Sequence, residues 1–492
     1  MISPYIIVFV LLAYFALLIL VARLTSRKAG NDAFFLGNRK SPWYVVSFGM
    51  IGASLSGVTF ISIPGWVNTA QFSYMQMVLG YMAGYWVIAT VLLPLYYRLK
   101  LTSIYTYLGQ RFGPSTYKTG ASFFLLSRII GASFRLFLVA IVLQIAVFEP
   151  LGVKISFVPA VIVTVALIWL YTNRGGIKTI IWTDMLQTIF MLLAVFITIK
   201  SIMSAMDLNW IEVVKTIKNS EYSQVFYFDD FANNPRNFFK MFFGGAFIAI
   251  TMTGLDQDMM QKNLSCKTLY ESQKNVFWLG VMLLIVNLFF LSLGALLYLY
   301  AAEINFPIPE QTDYLYPKLA IGGYLGVFTG IAFVIGLTAS AYSSADSALT
   351  SLTTSFSIDI LNIGDRPEEE QVKTRKLVHV GMSMVLIIVI ILFKVINDDN
   401  VIQSLFDAAK YTYGPLLGFY FAGLFTKIQV KDKFIPIVAI LAPILSFLIN
   451  RYMFQITGYQ FGFELIILNG LLTVIGMWIL RQKNPHKSLD AL

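Results

Sequence analysis

The chain has 492 residues, of which 57% are hydrophobic and 13% are charged, whereas soluble proteins carry about a quarter charged residues. This composition excludes an ordinary soluble domain and indicates a protein embedded in a lipid bilayer. The net charge of +10 is spread over many short loops, so it does not indicate nucleic-acid binding, and the single cysteine, Cys266, excludes an internal disulfide.

Apolar runs of about 20 residues recur from end to end, and each is long enough to cross a hydrocarbon core. They predict thirteen transmembrane helices, centred near residues 14, 56, 87, 133, 163, 191, 250, 287, 338, 386, 415, 441 and 470. The first run lacks a basic leader and a cleavage site, which predicts a retained helix rather than a signal peptide. Because no stretch has the composition of a soluble domain, residues 1–492 are predicted to form one all-α membrane domain.

Basic residues are distributed unequally between alternate loops. If the N-terminus lies outside, 24 Lys and Arg residues fall on one side of the membrane and nine on the other. Positively charged loops favour the cytoplasm. The sequence therefore predicts an N-out, C-in orientation.

The second predicted span contains an unusual stretch, GASLSGVTFISIPG, from Gly52 to Gly65. It places Ser54, Ser56 and Thr59 between glycines, with a proline near its end. A helix interrupted here would line a cavity with free carbonyl and hydroxyl oxygens, which are the ligands that a small hard cation prefers. Interrupted helices also form the solute sites of secondary transporters. The alternative is a packing face of small residues that lets helices approach closely.

Ionisable side chains also fall inside predicted spans, where a charge is costly and usually faces a cavity, a partner or a ligand. They are Arg128, Arg135 and Lys410 among the bases and Asp184, Asp346 and Asp407 among the acids, with Asp256 and Asp258 near the end of the seventh span. This pattern indicates a solute or ion pathway. The alternative is structural pairing of the three bases with the acids.

The ninth predicted span, GLTASAYSSADSALTSLTTS, has a face of hydroxyls. Four serines follow one another at i, i+3, i+4 and i+7, which places them on one side of a helix. They are Ser340, Ser343, Ser344 and Ser347. Serines alone are often packing residues, but the carboxylate of Asp346 among them favours a cation site.

Three stretches of the sequence resemble the sodium/solute symporter family, and within it the bacterial sialic acid and galactose symporters. They are LSGVTFISIP from Leu55 to Pro64, GGIKTIIWTDMLQ from Gly175 to Gln187, and SSADSALTS from Ser343 to Ser351. DQDMMQK, from Asp256 to Lys262, resembles the segment after the family's second broken helix. The likeness covers nearly the whole chain in span order.

The resemblance implies the family's fold, a five-plus-five inverted repeat of the leucine-transporter type. Residues 1–42 would form a leading helix and loop, 43–200 the first repeat, 236–429 the second repeat, and 430–492 the trailing helices. Spans two and seven would be the broken helices.

The resemblance also implies sodium, Na+, as the coupling ion, held between the broken second span and the ninth span. Its ligands would be the carbonyls of Gly52, Leu55 and Ser340 and the hydroxyls of Ser343 and Ser344. A second cation site, present in some members, would use Asp184, Ser343, Asp346 and Ser347. Sialic acid symporters have serine where Asp346 stands, so Asp346 would hold a tighter second sodium or a proton, or would pair with an arginine.

The solute would lie beside the broken span, where three hydroxyls match positions that contact the sugar acid in sialic acid symporters. They are Ser54, Ser56 and Thr59. The arginine that grips the carboxylate in that relative falls on Gly131 here, flanked by Arg128 and Arg135. Arginine binds a carboxylate through two parallel hydrogen bonds, and Arg135 is preferred because an offset of four residues keeps it on the same helix face.

We therefore expect a sodium-coupled symporter of the cell membrane (plasma or bacterial inner membrane). It would import a small organic solute, a sugar acid such as sialic acid or another small carboxylate, by alternating access. The alternatives are a neutral-sugar sodium symporter and a channel or sensor with the same fold. An enzyme is not expected, because the sequence has no HExxH or GxSxG motif. The expected partners are the solute, sodium and the lipid bilayer, with no obligate protein partner.

Overall fold

The protein is helical throughout the part of the chain that its structure, a computed structural model, describes. Backbone pairing outside helices is limited there to two isolated bridges, Ser41 with Cys266 and Val430 with Arg481. The expected all-α class is confirmed. The described residues are 4–26, 30–144, 157–173, 175–396 and 408–482.

Long helices alternate with short ones along the chain. The first ten described are α1 (Pro4–Thr25), α2 (Asn31–Leu36), α3 (Trp43–Ser54), α4 (Gly57–Ala70), α5 (Tyr74–Val87), α6 (Leu93–Arg98), α7 (Thr106–Arg111), α8 (Pro114–Leu143), α9 (Phe157–Thr172) and α10 (Ile177–Ala205). The next ten are α11 (Trp210–Asn219), α12 (Phe238–Ala249), α13 (Gln257–Leu264), α14 (Leu269–Glu303), α15 (Leu315–Ile321), α16 (Val327–Ser355), α17 (Glu368–Ile396), α18 (Gly414–Phe425), α19 (Ile435–Thr457) and α20 (Leu465–Ile479). Segments of π-helix at Ile88–Leu92, Ile250–Gly254 and Phe356–Ile360 extend α5, α12 and α16.

Many of these helices are long and apolar enough to cross a membrane. Within the described residues eight helices meet this test, or ten if each of two bent helix pairs is one span. Shorter apolar helices lie at Phe157–Thr172 and Leu465–Ile479. The membrane class is therefore confirmed, while the total of thirteen spans and the N-out orientation remain predictions. Asp407 lies outside the described residues.

Two spans are interrupted, the second as its own sequence predicts and the seventh as the family resemblance implies. Trp43–Ser54 and Thr59–Ala70 meet at 57°, and Phe238–Gly254 and Gln257–Leu264 meet at 65°. At the first break the backbone leaves the helical region, with ψ of 83° at Leu55 and 171° at Ser56. At the second break the Asp256 carboxylate accepts the first free N–H groups of α13 and so caps that helix.

Helices α5 and α12 approach each other so closely that backbone meets backbone. A Cβ atom on Gly80 would lie 2.0 Å from the carbonyl oxygen of Phe242, and one on Gly245 would lie 2.2 Å from that of Met77. Glycine permits such contacts between membrane helices. Because the opposing atoms are backbone, a methyl group at either position forces the helices apart.

We predict that Gly80→Ala destabilises the fold by about 1–3 kcal/mol through overpacking, seen as a lower midpoint of thermal unfolding in detergent. Gly381→Ala is the matched control, since nothing lies within 4 Å of a Cβ built on Gly381 in α17. We expect the unfolding midpoint of Gly381→Ala to stay unchanged or to rise slightly, because alanine has a higher helix propensity than glycine. Equal midpoints for both variants would contradict the close contact.

A short turn, Thr312–Tyr314, packs a carboxyl group against α4. A Cβ on Gly65 would lie 3.1 Å from Asp313 Oδ1, so the carboxyl lies directly on that helix. Burial raises the pKa of Asp313 to about 6, and the Ser62 hydroxyl opposes part of the rise. The folded protein therefore binds this proton more tightly than the unfolded chain does.

We predict that the free energy of unfolding falls as the pH rises from about 4 to about 6, because Asp313 loses its proton over this range. The fold favours the neutral form of Asp313. The stabilisation is therefore complete below the pKa of the unfolded chain and is lost as the pH rises through about 6. The loss amounts to about 2–3 kcal/mol. Unfolding midpoints measured from pH 4.5 to 7.5 should show Asp313→Asn gaining on the wild type as the pH rises. Asp229→Asn, at an exposed loop position, is the control, and parallel profiles for wild type and Asp313→Asn would contradict the prediction.

Candidate binding site

The break in the second span faces the hydroxyl face of α16. Helix α3 ends at Ser54, so the carbonyls of its last turn have no N–H partner in the helix. Ser344 Oγ lies 3.4 Å from the carbonyl oxygen of Ala53 and 3.4 Å from that of Ser340. Leu55 is the first residue of the break. Carbonyl and hydroxyl oxygens of α3 and α16 therefore converge here.

Gly52 holds α3 tightly against α10 and α16. Its N–H donates to Thr188 Oγ1 at 3.1 Å. A Cβ on Gly52 would lie 2.4 Å from that same oxygen and 3.3 Å from Ser343 Oγ. Four of the five predicted sodium ligands, Gly52, Ser340, Ser343 and Ser344, are thus close neighbours, and the fifth, Leu55, follows in the break.

A second group of oxygens lies beside the first. Ser343 Oγ donates to Asp184 Oδ1 at 2.7 Å. Ser347 Oγ lies 3.3 Å from both Asp184 Oδ2 and Asp346 Oδ1, and the Tyr171 hydroxyl donates to Asp346 Oδ2 at 2.8 Å. The four residues predicted for a second cation site are therefore in contact, and Asp346 is held by Tyr171 rather than by an arginine.

Lys262, to which the sequence analysis gives no role, reaches into this second group. Its Nζ lies 2.7 Å from Asp184 Oδ2 and 3.8 Å from Asp258 Oδ1, and its side chain is 1% exposed. The sequence predicts only the contact between Lys262 and Asp258, because these residues are spaced i,i+4 in DQDMMQK. That segment looked like the polar end of a span, but every residue of α13 is buried.

Arg128 forms ion pairs with two acids of the second broken span through one nitrogen, while its Nε has no hydrogen bond. Its Nη2 lies 2.6 Å from Asp256 Oδ1 and 2.6 Å from Asp258 Oδ2. The Tyr413 hydroxyl donates to the other oxygen of Asp256 at 2.7 Å. The alternative in which Asp346 forms an ion pair with Arg128 is therefore wrong, because Arg128 pairs with two acids of the DQDMMQK segment.

Arg135 is buried without such a partner. It is 7% exposed, its Nε has no hydrogen bond, and within the described ranges no carboxylate forms a salt bridge with it. Burial of an unanswered guanidinium costs several kcal/mol. The sequence also named Asp407 as a possible partner, and Asp407 lies outside those ranges.

Both arginines line a cavity of about 90 Å³ beside the break. All five residues predicted to contact the solute border it, namely Ser54, Ser56, Thr59, Arg128 and Arg135. Ser54 Oγ is buried there without a hydrogen-bond partner. The lining of the cavity thus includes polar groups whose donors are unused.

Sequence reasoning missed several residues that line this cavity. They are Tyr74, Tyr81, Tyr85, Thr253 and Asn287, together with apolar neighbours. The three tyrosines follow at i, i+7 and i+11 on one face of α5, so their spacing was a signal that could have been read. Gly131, matched to the relative's arginine, lies instead beside a neighbouring space of about 10 Å³.

Comparison with known proteins places the chain among transporters. The family model of the sodium:solute symporter family matches residues 34–427. The sodium/sialic acid symporter SiaT of Proteus mirabilis is 24% identical, with 92% of this chain and 91% of the relative covered. The human sodium/iodide cotransporter is also 24% identical, over 80% of this chain and 61% of its own length.

Solved structures show the same fold. A substrate-bound, outward-open Na+-coupled sialic acid symporter superposes with a TM-score of 0.82 at 21% identity, covering 96% of this chain and 97% of that one. Mhp1, a nucleobase-cation-symport-1 family transporter, gives 0.59 at 14% identity, covering 90% and 92%. The fold, the multi-pass membrane location and the matched family agree, and this chain is a sodium-coupled solute transporter that belongs to the sodium:solute symporter family.

Proposed function

We propose that the solute carried with sodium is an organic acid, and specifically a sugar acid, whose carboxylate binds Arg135. The observation that carries this proposal is the buried guanidinium of Arg135, which borders the cavity without a carboxylate partner among the described residues. Buried charges in a membrane protein usually pair with an opposite charge or bind a ligand. A solute carboxylate would neutralise the guanidinium and would accept two parallel hydrogen bonds from it, the geometry that arginine favours.

Arg135 suits this role better than Arg128. Asp256 and Asp258 already occupy the same nitrogen of Arg128 at 2.6 Å. A solute carboxylate near Arg128 would therefore meet two like charges. Near Arg135 it meets a free donor, so we assign the carboxylate to Arg135 and treat Arg128 as the residue that orients the cavity wall.

The other residues that line the cavity favour a solute that carries several hydroxyl groups. Hydroxyls of Ser54, Ser56 and Thr59 border the cavity together with three tyrosines. Two of the relatives are sialic acid symporters, from Proteus mirabilis and Aliivibrio fischeri. The cavity of about 90 Å³ is smaller than the roughly 150 Å³ that holds benzene, so a sugar acid requires the surrounding helices to open, as alternating access provides.

A small monocarboxylate is the second candidate, and one observation favours it. The present volume of about 90 Å³ suits a solute of a few heavy atoms without any opening. A sodium-coupled monocarboxylate transporter from mouse is 23% identical over 80% of this chain. The same arginine would bind either acid, and the size of the preferred solute separates the two.

The sodium ion itself is proposed to bind at the first break. The carbonyls of Gly52, Leu55 and Ser340 with the hydroxyls of Ser343 and Ser344 would supply five oxygens, the hard ligands that such a cation prefers. An ion there ties α3 to α16 and so fixes the wall of the solute cavity. Its passage through 100 mV supplies about 2.3 kcal/mol for uptake.

The repeat boundaries and the surroundings are part of this proposal. Each proposed repeat, 43–200 and 236–429, begins with a broken helix, and the breaks at Leu55 and Asp256 support that division. The leading segment 1–42 and the trailing segment 430–492 would flank the core. We propose that the lipid bilayer surrounds the chain and that transport needs no obligate protein partner.

We predict that Arg135→Lys raises the apparent solute constant about 10- to 100-fold, because one charged hydrogen bond worth about 1.5–3 kcal/mol is lost. Sodium binding measured without solute should barely change. The measurement is sodium-driven uptake into proteoliposomes from a panel of sugar acids, monocarboxylates and neutral sugars. Arg375→Lys is the matched control, since Arg375 is a buried arginine that donates to Asn31 and does not line the cavity.

A sugar acid and its neutral amide separate charge recognition from shape. The wild type should prefer the acid, and Arg135→Lys should lose most of that preference. Equal affinity of the wild type for acid and amide would overturn the anionic solute and leave a neutral sugar as the better candidate.

We predict that replacing Ser343 and Ser344 together by alanine abolishes sodium-driven uptake while the protein still folds, because two of five proposed ligands are removed. Apparent sodium affinity is the quantity to measure, alongside elution as a single species in detergent. Ser351→Ala serves as the control on the same helix, since its hydroxyl donates to Ala348 within α16. A double variant with the sodium affinity of the wild type would refute this site.

A further inference from the structure

We infer that Lys262 is the built-in cation of the second oxygen group, formed by Asp184, Ser343, Asp346 and Ser347, so that this chain binds one sodium ion and not two. The inference rests on the sodium site proposed at the first break. It replaces the expectation of a second bound cation by an ammonium group that the chain itself supplies.

The first argument is the position of the ammonium group. Lys262 Nζ lies 2.7 Å from Asp184 Oδ2, the distance of a charge-assisted contact. The other oxygen of Asp184 accepts from Ser343. A free cation using Asp184 would compete with Nζ for the same carboxylate oxygen. The ammonium group therefore fills the place that a second sodium would take.

The second argument is that the ammonium group has little freedom to leave. Helix α13 is buried along its whole length and is capped at its start by Asp256. Asp258, one turn before Lys262, lies 3.8 Å from Nζ on the other side. A buried lysine that moved away from both acids would be an unpaired charge, which is strongly unfavourable.

The third argument is that the two oxygen groups share a residue. Ser343 is a proposed ligand of the sodium ion at the first break, and its hydroxyl also donates to Asp184. A sodium ion at the first break therefore lies close to the pair formed by Asp184 and Lys262. A second sodium in the same group would place another positive charge beside the ammonium group, and like charges at short range repel.

The number of sodium ions bound without solute tests this inference independently of the solute's identity. We propose equilibrium binding of 22Na+ to the purified full-length protein in detergent. The wild type should bind one ion with a Hill coefficient of one. Lys262→Gln removes the ammonium group and exposes both carboxylates, so it should bind two ions, with a Hill coefficient above one.

Two further variants serve as controls. Lys262→Arg keeps the positive charge and should retain one sodium. Lys240→Gln makes the same substitution at another buried lysine, which donates to the carbonyls of Ala232 and Gln460 outside the cluster, and should also retain one sodium. A purely structural Lys262 would leave the ion number at one in all three variants, and that result would overturn the inference.

The wild type alone decides the matter if Lys262→Gln does not fold. Two sodium ions bound by the wild type would overturn the role of Lys262 while leaving the first site intact. No sodium bound by the wild type would overturn the first site and, with it, the inference. One ion bound by the wild type and lost in the Ser343 and Ser344 double variant supports both.

Discussion

The interruption of the second span at Leu55 and Ser56 is the constraint on which the rest of the structure depends. A helix that stops inside a membrane leaves carbonyls without N–H partners, and lipid offers none. The surrounding protein must therefore supply polar partners for these carbonyl groups. Ser344 approaches Ala53, Thr188 accepts from Gly52, and Ser343 joins the same point to Asp184. Helices α3, α10 and α16 meet where they do because the break requires polar neighbours.

The buried charges extend this arrangement towards the solute cavity. The Ser347 hydroxyl joins Asp346 to Asp184. From Asp184 the contacts continue through Lys262 and Asp258 to Arg128 in α8, which also contacts Asp256. Each separate charge is costly in this setting, but each has a partner of opposite sign or a hydroxyl donor. The second oxygen group and the cavity wall are therefore joined through α13, and a displacement of that helix would change the contacts at both places.

Much of this could be predicted from local sequence. Hydroxyls and glycines inside an apolar run identified the first break, and spacing placed four serines on one face of α16. These signals are local, since they depend on residues within a few turns of one helix. The three tyrosines of α5 carry the same kind of local signal, since their spacing places them on one face of that helix.

Other features depend on contacts between distant segments, which a single sequence does not contain. Spacing on the helix favours Arg135 over Arg128 as the solute ligand, but it does not show that Arg128 is paired. That pairing depends on Asp256 and Asp258, which come from the second broken span. Lys262 carries no local signal of its contact with Asp184. That contact depends on the approach of α13 to α10, two helices that are distant in sequence.

The contact between α5 and α12 has a consequence for how this protein can change over evolutionary time. Substitutions in most packed interfaces can be rescued by a smaller partner on the other side. At Gly80 and Gly245 the opposing atoms are the carbonyl oxygens of Phe242 and Met77, which no substitution removes. The two glycines therefore have no compensating partner, and descendants of this sequence would keep both or would have to reposition the whole helix pair.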